Sequence, residues 1–244
     1  MKHLNSNVYI LTLAVVPNAE TVFEIQKELS GASGGSLAFA PWSPCNLFNW
    51  IKRVNTESKS NLDMALDNFT LSCAGYCVAT FILGIADRHP SNIMVNREGR
   101  LFHIDFGHFL GHFKRKIGIR RERTPFVLTE DFIMVIARGN GKSKSDYVNA
   151  PEFARFRSLC GRAYMALRKH TSLLITLFNM MLYSGIPELQ PDDIQYLMDT
   201  LAIDKTDSVA LAYFESRFDE AYKRSVFTKI DWFFHGIAHG SEMK

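Results

Sequence analysis

Residues 62–83, LDMALDNFTLSCAGYCVATFIL, constrain this chain more than any other stretch. Apolar and small residues recur on nearly every face of the helix this run would form, and such a helix belongs in the centre of a domain. Directly after it comes GIADRHPSNIMVNREGRLFHIDFGH, residues 84–108, which carries Asp87, Arg88, His89, Asn92, Asp105 and His108. These groups resist burial unless they are paired or used, yet they leave the end of a core helix.

The rest of the chain supplies the setting. Its 244 residues suffice for one full-sized domain, and 47% apolar with 22% charged residues is a globular composition. A net charge of +3 is too small to imply a partner by itself. Cys45, Cys73, Cys77 and Cys160 have neither disulfide-framework nor zinc spacing and read as reduced thiols in a cytosolic core. The β-branched run Val8–Val16 leads into Pro17 without a small-residue cleavage site, so it reads as a strand rather than a secretory signal. The apolar run 172–183 is too short to span a bilayer and contains Asn179. SGASGGS (30–36) lacks the Gly-Lys-Ser/Thr of a phosphate cradle and reads as a loop. Helices are expected over Ala19–Leu29, Leu47–Val54 and Leu62–Leu83. A further one runs from Pro151 through to Tyr183, ending at Gly185-Ile186-Pro187, and another restarts with Asp192 or Asp193 at its cap. Leu211, Phe214, Phe218 and Tyr222 line a last one. The expected class is mostly α with a small β-hairpin.

That hairpin is IMVNREGRLFHI: Ile93–Val95, a turn at Glu98-Gly99, then Leu101–Ile104. Centring the turn there pairs Asn92 with Asp105. Adjacent strands lie roughly 4.8 Å apart, so an amide oxygen and a carboxylate arrive at one end of the hairpin. Such a pair suits a hard cation like Mg²⁺, which takes few protein ligands and completes its shell with phosphate and water. Asp87, Arg88 and His89 enter the same place, and a metal–triphosphate accounts for the crowding. The spacing from Asp87 to Asn92, with Asp105-Phe106-Gly107 beyond, matches the kinase arrangement of a catalytic-loop Asp, an Asn and a metal-binding Asp-Phe-Gly.

The order Asp87-Arg88-His89, DRHxxN followed by HIDFG, resembles the phosphoinositide 3-kinase and related kinase superfamily rather than the His-Arg-Asp protein kinases. The following segment, HFLGHFKRKIGIRRERTPFVLT, resembles the activation segment of class I phosphoinositide 3-kinases. SCAGYCVATFILGI (72–85) and FNMMLYSGIPELQPDDIQYLMDTLAIDKT (178–206) are similar to class I catalytic subunits, the alpha-type most of all. The resemblance runs from about Ala14 to the C-terminus. It implies the C-lobe of a protein-kinase-like (phosphoinositide 3/4-kinase) fold without its N-lobe. Residues 1–18 would be a hinge strand with a non-matching extension and 19–244 the C-lobe, with catalytic loop 84–92, metal-binding motif 105–107, activation segment 105–128 and a membrane-facing helix 228–240.

By the same resemblance the activity is ATP-dependent phosphorylation of the 3-hydroxyl of phosphatidylinositol 4,5-bisphosphate, in signalling. Asn92 and Asp105 would hold Mg²⁺ or Mn²⁺. His89 is the candidate base, with Asp87 orienting it or the substrate, and an unperturbed imidazole titrates near 6.5, close to working pH. His108 is the second candidate, assisting at the γ-phosphate, and Arg88 braces the catalytic loop. Val15 and Val16 would present adenine-contacting backbone, with Met94, Phe102 and Ile104 as the floor beneath it, although a plain core role fits those three equally. Lys114, Arg115, Lys116 and Arg120 form a basic run in which Lys114 and Arg120 match the two headgroup-phosphate positions; basic side chains near an anionic leaflet contribute roughly 1 kcal/mol each. Trp232, Phe233 and Phe234 would touch membrane, the bland alternative being that they cap the core. The implied partners are a phosphoinositide lipid at the membrane surface and an SH2-containing regulatory subunit, with no nucleic acid, in a cytoplasmic protein recruited to the plasma membrane.

Three departures from the family pattern stand out. Ala86 replaces a glycine before the Asp, and a positive φ there would be costly. Phe113 replaces a basic residue. The Gly-rich phosphate loop and strand lysine have no counterpart in MKHLNSNVYILTL. A truncated, non-catalytic product that binds membrane or partners and competes with the full-length kinase is therefore the alternative reading. A protein kinase of the same superfamily is a third.

Overall fold

The computed structural model describes residues 15–30, 42–112, 115–116, 119–120, 124–185, 189–225 and 232, with backbone alone at 115–116 and 119–120. The expected strand over Val8–Val16 and the SGASGGS loop lie outside these residues, apart from Ser30, Val15 and Val16. Val15 and Val16 are exposed and in no strand. A turn at Pro17-Asn18 delivers the chain to β1 (Ala19–Thr21), which pairs antiparallel with the hairpin strand β2 (Ile93–Asn96). The helix expected from Ala19 consequently begins only at α1 (Val22–Leu29), where Thr21 Oγ1 accepts from Glu24 N at 3.1 Å and caps it.

The central element is the one the sequence singles out. After α2 (Cys45–Val54) comes α3 (Lys59–Ile82), capped by Ser58 and buried along one face from Ala65 to Ile82. Three of its hydroxyls fold back onto the preceding turn: Thr70 donates to Leu66 O, Ser72 to Asn68 O and Thr80 to Tyr76 O. Ser72 does more. Its Oγ accepts from Leu101 N at 2.9 Å, fastening β3 (Leu101–His103) to the helix. The three strands form one antiparallel sheet in the order β1-β2-β3, and a separate two-stranded ribbon joins β4 (Arg115–Lys116) and β5 (Ile119–Arg120).

The second half is helical, with α4 (Glu130–Ile136), α5 (Lys144–Asn149), α6 (Pro151–Arg168), α7 (Thr171–Leu182), α8 (Asp193–Thr200) and α9 (Asp207–Lys223). The helix expected to run unbroken to Tyr183 is interrupted by a turn at Lys169-His170. Aromatic rings fill the space between α3, α6 and α9: Tyr164 stacks on Phe214 at 4.7 Å, and Phe81 meets Phe214 edge-on at 5.6 Å. All four cysteines are free. No helix among the described residues is long and apolar enough to cross a membrane.

The hairpin turn fixes how the strands align. Asn96 N donates to Arg100 O at 3.0 Å and Gly99 N to Asn96 O at 2.9 Å, with Gly99 at φ 80°. This is a three-residue loop closed by a left-handed glycine, and a Cβ built on that glycine would stand 2.1 Å from Ala65 O on α3. Gly99→Ala should therefore combine a strained backbone with a collision against helix backbone and cost about 2–5 kcal/mol. Chemical denaturation of the variant measures it, and an unchanged midpoint would contradict this packing.

Candidate active site

The site begins where α3 ends. Gly84, at φ 55°, donates its N–H to Phe81 O while Ile85 N donates to Thr80 O. Those two bonds satisfy last-turn carbonyls and turn the chain sharply off the helix axis. Residues 83–86 then run beside the segment that follows the Asp-Phe-Gly: Ala86 N donates to His108 O at 2.9 Å and Leu110 N to Leu83 O at 2.7 Å. The residue with left-handed backbone is Asp87, φ 57°, and not its neighbour Ala86, which is simply buried. The Ala86 methyl group is thus accommodated without the backbone cost a positive φ would bring. Aspartate tolerates this region better than most residues, and backbone held there is commonly part of a functional site.

Arg88 ties the two halves together. Only 8% exposed, it donates from Nε to Ala86 O at 2.8 Å, from Nη1 to Ile104 O at 2.7 Å and from Nη2 to Asp105 O. Its guanidinium also lies 5.6 Å from the Phe106 ring centroid. This fixed fork of donors, spread over three carbonyls, ties the loop after α3 to the strand end that carries Asp105.

The cluster comes together through Asp87. Asn92 Nδ2 donates to Asp87 O at 3.2 Å, and His89 Nε2 lies 4.0 Å from Asp87 Oδ2. A short 3-10 turn, Pro90–Asn92, carries Asn92 inward to 6% exposure. Asp105, at φ 58°, is exposed, and its Oδ1 accepts from Gly107 N at 3.4 Å. The expected register needs one correction. Ile93 pairs with His103 and Met94 with Phe102, so Ile104, not Asp105, stands opposite Asn92 and donates its N–H to Asn92 O. The two-residue turn assumed from sequence is a three-residue turn, and this shifts the pairing by one. Asp105 leaves the strand end immediately afterwards, held from its carbonyl by Arg88.

The donor set fits a hard divalent cation. The Asn92 nitrogen is committed to Asp87, so the oxygen is the end of that amide suited to a metal, and Asp105 offers a carboxylate. No group of three or more His, Cys, Asp or Glu gathers among the described residues.

Strand alternation separates the apolar candidates. Ile93, Val95, Leu101 and His103 are buried, whereas Met94, Phe102 and Ile104 are half-buried or exposed. The three floor residues therefore lie off the core face, and Val15, 86% exposed, is open as well. Lys114, Phe233 and Phe234 fall outside the described residues. Arg115, Lys116 and Arg120 lie in the β4–β5 ribbon, where Arg115 pairs with Arg120. Trp232 corrects its expected role: at 3% exposure it sits against Phe132 and Trp42 and donates from Nε1 to Arg88 O at 2.9 Å. An indole committed to the core and to the catalytic loop does not face a membrane. No local signal links Trp232 to Arg88, because 144 residues separate them.

Sequence comparison completes the picture. A profile described as phosphatidylinositol 3- and 4-kinase matches residues 10–191. The chain belongs to this kinase family. It is similar to phosphatidylinositol 3-kinase 3 of Dictyostelium discoideum, 45% identical over 228 residues, and to phosphatidylinositol 3-kinase 1 of the same organism, 43% identical over 228. Each alignment covers 93% of this chain but only 12% and 14% of the respective relatives, so this kinase-family chain spans a small part of their length.

His103 is the buried histidine of the site region, stacked on Tyr76 at 4.8 Å. Burial, helped by the nearby Arg88 charge, lowers its pKa to about 3. Its folded pKa lies below the unfolded one, so its stabilising share is complete above pH ~6.5 and is lost as pH falls toward 3. His103→Phe, which keeps the ring stack, should remove on the order of 2 kcal/mol of the stability lost between neutrality and pH 5. Denaturation midpoints of both proteins across that range check it, and parallel curves would show that His103 is not held neutral.

Proposed function

We propose that this chain carries the phosphoryl-transfer centre of an ATP-dependent lipid kinase acting on the 3-hydroxyl of phosphatidylinositol 4,5-bisphosphate. The observation that carries this reading is the joining of two motifs at one place: Arg88 fastens the catalytic loop to the Asp-Phe-Gly carbonyls while Asn92 is anchored on Asp87. Asn92 and Asp105 hold Mg²⁺ or Mn²⁺, which when bound neutralises charge on the ATP phosphates. His89, beside Asp87, accepts the proton of the attacking hydroxyl. His108 stands on the facing segment as the alternative base. ATP lies over the open apolar face of Met94, Phe102 and Ile104, with Val15 and Val16 at its edge.

The basic run Lys114, Arg115, Lys116 and Arg120 receives the headgroup phosphates in this reading, and the protein works at the cytoplasmic face of the plasma membrane. A class I-type association with an SH2-containing regulatory subunit belongs to the same proposal. Exposure of Val15, Val16, Ile104 and Phe106 also favours a second reading, in which this chain is a non-catalytic product that engages partners through that apolar surface.

Binding of Mg²⁺–ATP by the purified chain separates the two, since only the first reading expects it. Asp105→Asn, in this chain and in any longer product that contains it, should lower lipid phosphorylation by three or more orders of magnitude, roughly the several kcal/mol a catalytic metal supplies. Retained turnover would exclude Asp105 as a metal ligand. Lys114→Ala with Arg120→Ala should cut lipid turnover about thirtyfold, at roughly 1 kcal/mol for each lost charge. Lipid-independent ATP hydrolysis should be spared, and an equal loss of both activities would rule out headgroup binding.

A further inference from the structure

One face of α8, far along the chain from every motif above, closes on the crossing of residues 83–86 with 108–112. Two of its side chains do so, at positions 193 and 196, and a third on the same helical stripe, at position 200, reaches the end of α3 beside them. Asp193, nearly buried, takes His112 Nε2 on Oδ1 at 2.7 Å, and its Oδ2 accepts from Gln190 N at 2.7 Å, so both carboxylate oxygens are used. The Tyr196 ring lies between two glycines. A Cβ on Gly84 would fall 2.6 Å from its Cε1, and one on Gly111 would fall 3.0 Å from Cδ2 on the ring's other side. Thr200 Oγ1 lies 2.9 Å from Ile82 O, a last-turn carbonyl of α3, and shares its proton with its own helix's carbonyls of Tyr196 and Leu197.

We propose that Asp193, Tyr196 and Thr200 form a positioning face that sets the spacing between the catalytic loop and the Asp-Phe-Gly segment. Its role in catalysis rests on the phosphoryl-transfer reading; its mechanical action does not. Residues 83–86 lead straight into Asp87 and Arg88, and residues 108–112 lead straight out of Asp105. The backbone bonds between them run from Ala86 N to His108 O and from Leu110 N to Leu83 O. A ring wedged against both glycines fixes how far apart the two backbones sit, and the His112–Asp193 bond stops the outgoing segment from sliding along the ring. Phosphoryl transfer is almost wholly positioning and charge stabilisation, and displacements near 1 Å can cost about a hundredfold. The two glycines follow from this geometry: both have left-handed backbone, φ 55° and 89°, and both present a bare backbone to the ring.

The test uses the intact chain and two readouts. Amide hydrogen exchange at Ala86 and Leu110 reports the crossing, with the amides of mid-α3 as an internal control. His112→Ala, which removes the bond to the Asp193 carboxylate, and Tyr196→Ala, which empties the space between the two glycines, should each speed exchange at the two crossing amides about fivefold and leave mid-α3 unchanged. His112→Gln, whose amide reaches about as far as Nε2, should restore protection, and Tyr196→Phe should keep it. In protein that turns over lipid, kcat per nucleotide-binding chain should fall about tenfold in both alanine variants, with KM for ATP unchanged. Exchange at Ala86 and Leu110 that matches wild type, or that rises equally throughout α3, overturns the proposal, as does faster exchange with an unaltered kcat. Should the wild-type chain bind no Mg²⁺–ATP, the phosphoryl-transfer reading fails instead, and the exchange result still decides whether α8 holds the crossing.

Discussion

A single buried guanidinium holds the functional end of this molecule together. Arg88 reaches three backbone carbonyls, one on its own loop and two on the strand end that leads to Asp105. Each of those carbonyls would otherwise be a polar group near the core with a neighbour to find. Trp232 completes the arrangement from the far end of the chain by donating to the Arg88 carbonyl. The consequence is that Asp87 and Asp105, both in left-handed backbone, keep a fixed relation to each other. Strain at two acidic residues is sustained because the surrounding bonds over-determine it.

Beneath this lies the division of labour along α3. One face of its body is buried from Ala65 to Ile82 while Met64 and Leu71 stay exposed, and its C-terminal turn, closed by Gly84, redirects the chain into the polar loop. Ser72 and Gly99 then join the hairpin to the same helix, one through a hydroxyl accepting from Leu101 N and the other through a close backbone approach to Ala65. The hairpin is thus referenced to the helix that launches the Asp87–Asn92 loop. Both motifs inherit their positions from one rigid element.

Much of this was legible in the sequence for local reasons. An apolar run without a polar face can only be central, and Asn-Arg-Glu-Gly between alternating residues can only turn. The Asp87–Asn92 and Asp105-Phe106-Gly107 spacing points to the kinase family that the sequence comparison shows. What failed was also physical. Whether a turn takes two residues or three is decided by the left-handed glycine and its contact with α3, so the register came out one residue off. The strand at Ala19–Thr21 carries a helix-like pattern that sheet pairing overrides. Trp232 looked like a surface aromatic because its partner is 144 positions away, and the α8 face escaped notice because His112 and Asp193 are 81 apart. Long-range hydrogen bonds leave no periodicity to read.

The central claim is that Asn92 and Asp105 meet one divalent ion on a nucleotide. Paramagnetic relaxation addresses it directly. With Mn²⁺ and a non-hydrolysable ATP analogue, the Asn92 side-chain amide resonances should broaden strongly, while those of Asn55, whose amide is bonded to Ile51 O and Arg97 O, stay sharp. Broadening that spares Asn92, or that is unchanged in Asp105→Asn, would contradict the account.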